Sequence, residues 1–286
     1  MSSSPGKIYV VATPIGNLGD MTARAIEVLN KVDLILAEDT RHSLPLLRHF
    51  QIQTQCQAFH EHNEKSVAES ICTRVKKGES VALISDAGVP LISDPGFPLV
   101  RMAHEQSIDV VPLPGACAAI SAVSVAGLAT DRFSFEGFLP AKAAAKRKVL
   151  EVLLDEPRTM IFYESPRRVV ETLSIMCDVF GNDRRAVLAR ELTKLFETVR
   201  NLPLKELLAF VESDANQIKG EIVLLLEGKT KIDVDETEAE IKKILSVLLE
   251  EVSLKQAVSI TMKLKGLKRN QVYPLALALK ENNNNE

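Results

Sequence analysis

A chain of 286 residues with 46% hydrophobic side chains has apolar material for sizeable cores and length for more than one domain, which excludes a disordered protein. No apolar run approaches the ~20 residues that a membrane-spanning helix needs. The net charge of −3, from 35 basic and 38 acidic residues, gives no global field for nucleic acid, so any such contact must come from local clusters.

In chain order, Met1 to Gly6 lacks the basic and apolar regions of a signal peptide, and a cytoplasmic protein is expected. Apolar, β-rich runs at Ile8–Ala12, Leu34–Ala37, Val81–Ser85 and Asp109–Val111 predict strands. Thr22–Lys31, Glu64–Lys77 and Pro98–Gln106 between them have helical patterning. Strands apolar on both faces belong in a mostly parallel sheet covered by helices on each side, with ligands gathering at the strand ends. Pro112-Leu113-Pro114-Gly115 breaks the pattern and predicts a hinge.

A second α/β segment follows. Its expected strands are Phe133–Phe138, Thr159–Tyr163, Ala186–Arg190 and Glu221–Leu226, and its expected helices are Ala143–Leu154, Arg168–Val179 and Leu204–Glu212. Beyond Gly228 the chain turns charged and helical, with helices at Glu236–Glu250, Leu254–Leu264 and Arg269–Lys280. Gly266 lies between the last two, as in a helix-turn-helix pair, with Ala257, Ile260, Leu264, Val272 and Leu275 as its core. Residues 281–286 read as a frayed tail. The expected domains are therefore 1–113, 114–228 and 229–286.

Three strand ends lead into loops of unusual composition: Thr13-Pro14-Ile15-Gly16-Asn17, Glu38-Asp39-Thr40-Arg41 and Ser85-Asp86-Ala87-Gly88-Val89-Pro90. Their glycines let a backbone approach a ligand without a Cβ in the way. Neither a dinucleotide fingerprint nor a phosphate loop is present. Cys56, Cys72, Cys117 and Cys177 lack the spacing of a zinc ribbon or redox pair and read as reduced thiols. His60-Glu61-His62 is not a complete ligand set, so no metal is expected.

The run from Val81 through Ser85-Asp86-Ala87-Gly88-Val89-Pro90 to Ser93-Asp94-Pro95-Gly96 resembles the signature of the tetrapyrrole-methylase superfamily. Together with Thr13–Asn17, Ala37–Arg41, Pro114-Gly115-Ala116, Phe135–Pro140, Tyr163-Glu164-Ser165-Pro166 and Ala189–Lys194, it resembles more narrowly the ribosomal RNA small-subunit methyltransferase I family. That bacterial branch methylates a cytidine ribose at the decoding site of 16S ribosomal RNA. Histidine is usual in the family where this chain has Arg167 and Phe196.

The resemblance implies two α/β domains with S-adenosylmethionine in the cleft between them, a small C-terminal helix-turn-helix-like domain, and a homodimer. It implies cofactor contact by Pro14, Asp86, Ala87, Gly88, Val89, Cys117, Ala118, Phe162, Leu192, Gly220 and Glu221. A ribose hydroxyl needs its proton accepted during attack. Glu38, Asp39 and Arg41 are the first candidates for that chemistry, with Glu164 and Glu191 next. Lys142, Lys146, Arg147, Lys148, Arg167, Arg168, Arg184 and Arg185 are candidate phosphate contacts, and Lys255, Lys263, Lys265, Lys268 and Arg269 extend them onto the terminal helices. The expected partner is 16S ribosomal RNA within the small subunit. Two alternatives stay open: a methylase acting on a small tetrapyrrole, and an RNA-binding module without catalysis.

Overall fold

The computed structural model describes residues 6–229 and 234–283. The chain divides into two compact units, Met1–Lys229 and Thr230–Glu286.

In the larger unit a first sheet contains β1 (Ile8–Val11), β2 (Leu34–Ala37), β3 (Cys56–Ala58), β4 (Val81–Ile84) and β5 (Val110–Leu113), in the order β3-β2-β4-β1-β5. Every pairing in it is parallel. The apolar runs follow from burial on both faces. Leu34, Leu36, Val81 and Leu83 face a cluster with Ile71, Val75 and Leu99 from α3 (Glu64–Lys76) and α4 (Phe97–Glu105). The alternate residues Ile35, Ala37, Ala82 and Ile84 meet Leu29 and Leu47 from α1 (Ala23–Lys31) and α2 (Thr40–His49).

The hinge expected from Pro112 begins later. Pro112 and Leu113 continue β5 in register with Val10 and Val11, which an edge strand tolerates because proline's missing donor faces away from the ladder. The chain turns at Gly115, where a Cβ would stand 2.7 Å from that of Ala12.

The second sheet holds β6 (Phe133–Phe138), β7 (Thr159–Glu164), β8 (Arg185–Arg190), β9 (Thr198–Pro203) and β10 (Ile222–Leu226), in the order β6-β7-β10-β8-β9. Only β6 and β7 run parallel. One face packs on α6 (Ala143–Val152), α7 (Val169–Phe180) and α8 (Leu204–Ser213) through Met160, Phe162, Leu173 and Leu207. The other face takes α5 (Ala118–Ala126), whose small residues Ala119, Ala122 and Ala126 let it lie close on Ile161, Val187 and Val223. Ile15, from the loop after β1, joins that same cluster and ties the two sheets together.

The smaller unit is three helices, α9 (Val234–Glu251), α10 (Leu254–Lys265) and α11 (Arg269–Asn283). Ser253 and Gln256 form a capping box before α10, and Gly266 ends it in the left-handed conformation at φ 64°. The core contains Leu245, Ala257, Val258, Val272 and Ala276. Two expected core residues face outward instead: Ile260 and Leu264 are exposed, because the inward stripe of α10 is Ala257, Val258 and Thr261. Of the frayed tail expected at 281–286, residues 281–283 continue α11 and residues 284–286 lie outside the described residues.

Candidate active site

A parallel sheet delivers the loops after β1, β2, β4 and β5 to one side. Two of them are locked together. The Thr13 amide donates to the Gly88 carbonyl at 2.8 Å and the Gly88 amide to the Thr13 carbonyl at 3.1 Å. The Thr13 hydroxyl donates to the Ser85 carbonyl, and the Ser85 hydroxyl to that of Gly88, both at 3.1 Å. Gly88 turns at φ 87°, a conformation that glycine adopts without strain.

Between these loops and the α5 face of the second sheet lies a cavity of about 520 Å³. The size suits a small organic ligand. From the first sheet come Glu38, the Asp86–Val89 loop, Ile92, Ser93 and Asp94; Cys117 and Ala118 begin α5; Phe138, Tyr163, Leu192, Gly220 and Glu221 close it from the second sheet.

Three carboxylates gather on one wall. Burial pushes Asp94 up to about 7, the nearby charges of Glu38 and Asp86 add to the rise, and a hydrogen bond with Ser85 opposes it. Burial also raises Glu38, helped by Asp86, Glu61 and Asp39. Asp86 also fixes the start of α2, since its Oδ1 accepts the Asp39 amide at 3.2 Å and its Oδ2 lies 3.0 Å from His42 Nδ1. Opposite, Tyr163 is pushed up to about 12, chiefly by burial, with the Ala119 amide and Cys117 beside its hydroxyl. At neutral pH the cavity therefore holds a carboxyl near its titration point and a phenol that keeps its proton.

The structure separates residues that the sequence leaves side by side. Glu38 lines the cavity, but Asp39 and Arg41 do not. Asp39 caps α2 by accepting the Arg41 amide at 2.9 Å, and the Arg41 guanidinium holds its carboxyl down to about 2. Arg41 points into solvent, with 88% of its side chain exposed. Pro14 is buried and outside the lining, and Phe162 faces the opposite core because alternation on β7 sends Tyr163, its neighbour, toward the cavity. Asp86, Ala87, Gly88, Val89, Cys117, Ala118, Leu192, Gly220 and Glu221 come together around one space. The sequence alone gives Asp94, Tyr163 and Phe138 no role, although each stands in a motif that carries the family resemblance.

Glu164 and Glu191 are occupied structurally. The buried Glu164 accepts the Ser165 amide, Arg168 Nε and the Thr172 hydroxyl at 2.7, 2.8 and 2.6 Å. Lys146, fully buried, donates to that same hydroxyl and to Glu171, each at 2.8 Å. Glu191 accepts Lys194 Nζ at 2.8 Å and the Glu221 amide at 2.9 Å.

Several expected phosphate ligands are likewise committed elsewhere. Arg147 pairs with Asp178, Arg168 with Glu164 and Lys265 with Glu240; Arg184 lies over the Phe180 ring, and Arg185 donates to Asn201. Lys142, Lys148 and Arg167 are exposed and have no ion pair among the described residues.

A family profile described as Tetrapyrrole (Corrin/Porphyrin) Methylases matches residues 7–208, the stretch that contains the first sheet, four of the five strands of the second and most of the cavity lining. The chain belongs to the tetrapyrrole methylase family and is a methyltransferase. A second profile, RsmI C-terminal HTH domain, matches residues 235–280. Ribosomal RNA small subunit methyltransferase I of Pseudomonas aeruginosa is 54% identical over 275 residues, covering 96% of this chain and 98% of that protein. The protein of the same name from Haemophilus influenzae is 51% identical over 279 residues, with 97% and 99% covered. Among solved structures, diphthine synthase superposes with a TM-score of 0.59 at 16% identity, over 79% of this chain and 91% of that one. That last likeness is one of fold.

Proposed function

We propose that this chain methylates the ribose 2′-hydroxyl of a cytidine in the decoding region of 16S ribosomal RNA, using S-adenosylmethionine held in the cavity between the two sheets. The observation that carries the reading is a ligand-sized cavity whose one wall has a carboxyl poised near neutrality, in a chain about half identical to named ribosomal RNA methyltransferases.

The lining fits the cofactor. Ile15, Val89 and Leu192 offer apolar walls, the Asp86–Val89 backbone offers hydrogen-bonding groups, and the carboxylates of Glu38 and Asp86 suit a cation. The first amides of α5 suit an anionic group such as an amino-acid carboxylate. When bound, S-adenosylmethionine supplies an electrophilic methyl group on a sulfonium.

The chain's own work is then to hold the acceptor oxygen in line, exclude water and take a proton. Asp94 lines the cavity beside Glu38 and Asp86, and with its carboxyl pushed up toward neutrality it is the group placed to accept the proton of the ribose hydroxyl. Burial keeps Asp94 basic, and the like charges of Glu38 and Asp86 add to it. Tyr163 lines the cavity and retains its proton, with its hydroxyl held beside Cys117 and the Ala119 amide. Asp94 thereby takes the role first expected of Glu38, Asp39 and Arg41. A homodimer belongs to the same reading and rests on the family resemblance, and a cytoplasmic location suits a ribosomal RNA substrate; among the described residues no helix is long and apolar enough to cross a membrane.

A tetrapyrrole acceptor is the competing chemistry. Methyl transfer measured side by side on small ribosomal subunits and on a porphyrin precursor separates the two. Transfer to the subunits alone supports the proposal, and transfer to the porphyrin alone overturns it.

A further inference from the structure

β6 lies at the edge of the second sheet, and its register against β7 slips between Phe135 and Gly137. In an unbroken strand, side chains three positions apart point to opposite faces. The extra residue, Glu136, cancels one alternation, so Phe135 and Phe138 both reach Tyr163. Their ring centroids lie 4.9 and 5.5 Å from the tyrosine ring, at interplanar angles of 70° and 63°. Gly137 makes the slip possible at φ 66°, and a Cβ there would stand 3.7 Å from the Ser93 hydroxyl oxygen across the cavity edge. Bulges of this kind re-aim side chains beside functional sites.

The re-aimed ring remains open. Phe138 is 57% exposed while lining the same cavity as Asp94 and Tyr163. Arg167 directly follows Ser165 and Pro166 of the lining and is exposed, with no ion pair among the described residues. A flat apolar ring at the cavity edge, with an exposed arginine one residue beyond the lining, matches a nucleotide: a base has a π-face to stack, and its backbone has phosphates to pair.

We propose that the open face of Phe138 is the stacking platform for the target nucleobase, turned out of the RNA so that its ribose enters the cavity, with Arg167 taking a flanking phosphate. Recognition of single-stranded or extruded bases by aromatic stacking is the general solution in RNA, whose helical major groove is too narrow for side chains. Every base stacks, so the platform supplies position and affinity rather than choice of cytosine. This inference rests on the reading that the acceptor is an RNA ribose.

The test is steady-state methyl transfer to small ribosomal subunits by the full chain and by Phe138→Ala, Phe138→Leu and Phe138→Tyr, with S-adenosylmethionine affinity measured by calorimetry. Phe138→Ala is expected to lower kcat/KM for the subunit by about tenfold to a hundredfold, well beyond any change in cofactor affinity. Phe138→Leu, which keeps apolar bulk without a π-face, should resemble it, and Phe138→Tyr should stay close to the parent. Arg167→Ala should flatten the salt dependence of KM by about one unit of slope. Full activity of Phe138→Ala or of Phe138→Leu overturns the platform and leaves the acceptor reading standing. Parallel loss of cofactor affinity, or loss of a dimer at unchanged kcat/KM, also overturns it by giving Phe138 a different role. A parent protein that methylates no RNA overturns the acceptor reading itself.

Discussion

Asp94→Asn should make the protein more stable at pH 8 while disabling it. The carboxyl rises from an ordinary 3.8 to about 7 on folding, first because of burial. Between those values the folded chain holds a proton that the unfolded chain has released, so stability falls as pH rises through the window and is level above it. At about 1.4 kcal/mol per pH unit the ceiling on this cost is roughly 4 kcal/mol. The group borders a solvent-open cavity and shares its charge with Glu38 and Asp86, which screens and spreads the effect. A gain on the order of 1–2 kcal/mol is therefore expected at pH 8 for Asp94→Asn, shrinking toward zero near pH 4. Urea unfolding followed by far-ultraviolet circular dichroism at both pH values measures it. An equal gain at pH 4 and pH 8, or a loss at pH 8, would refute the argument that Asp94 is held against its ionisation. In activity the same variant should lose roughly a hundredfold or more in kcat.

Three other perturbations test separate parts of the structure. Lys146→Ala empties a fully buried site and should cost about 2–4 kcal/mol, whereas Lys146→Met keeps the stem and lets half-exposed Glu171 return to water, at a cost within about 1 kcal/mol; thermal melts compare them, and equal losses would show that the charge rather than the packing matters. Asp86→Ala should lower cofactor affinity about tenfold or more, while Asp86→Asn keeps an acceptor for the Asp39 amide and isolates the effect of charge; unchanged affinity of Asp86→Ala in calorimetry would remove this residue from the binding role. Removing residues 230–286, which form a unit of their own, should leave cofactor affinity intact and weaken small-subunit binding, and equal subunit binding by the truncated chain in a filter assay would sink that role.

The strands were legible where burial on both faces wrote continuous apolar runs, as at Leu34–Ala37 and Val81–Ile84. Four elements escaped for physical reasons. β3 is three residues long at a sheet edge; α2 carries Pro45 inside it, which reads as a breaker. In α5 the apolar run is interrupted only by Ser121 and Ser124, too little to reveal a helical period. β9 is an edge strand that carries Arg200 and Asn201 and ends at Pro203.

At the cavity, glycine and the family motifs pointed to the loop at Asp86–Val89. Which neighbour points inward was not legible. Glu38 faces the ligand space and Asp39 caps a helix, a choice set by where the helix begins. Tyr163 rather than Phe162 reaches the cavity by strand phase, and Phe138 does so only through the slip at Glu136. Asp94 is brought inside by a loop in which Leu91 and Ser93 adopt φ values of 73° and 70°, left-handed conformations that side chains rarely signal in sequence.

The most direct test of the central claim is transfer of labelled methyl from S-adenosylmethionine to small ribosomal subunits from cells lacking this protein, followed by mass spectrometry of the digested RNA. The account predicts 2′-O-methylcytidine as the labelled nucleoside, formed by the parent protein and strongly reduced with Asp94→Asn. Label on a base, or no label on RNA from a protein shown to bind the cofactor, would contradict it.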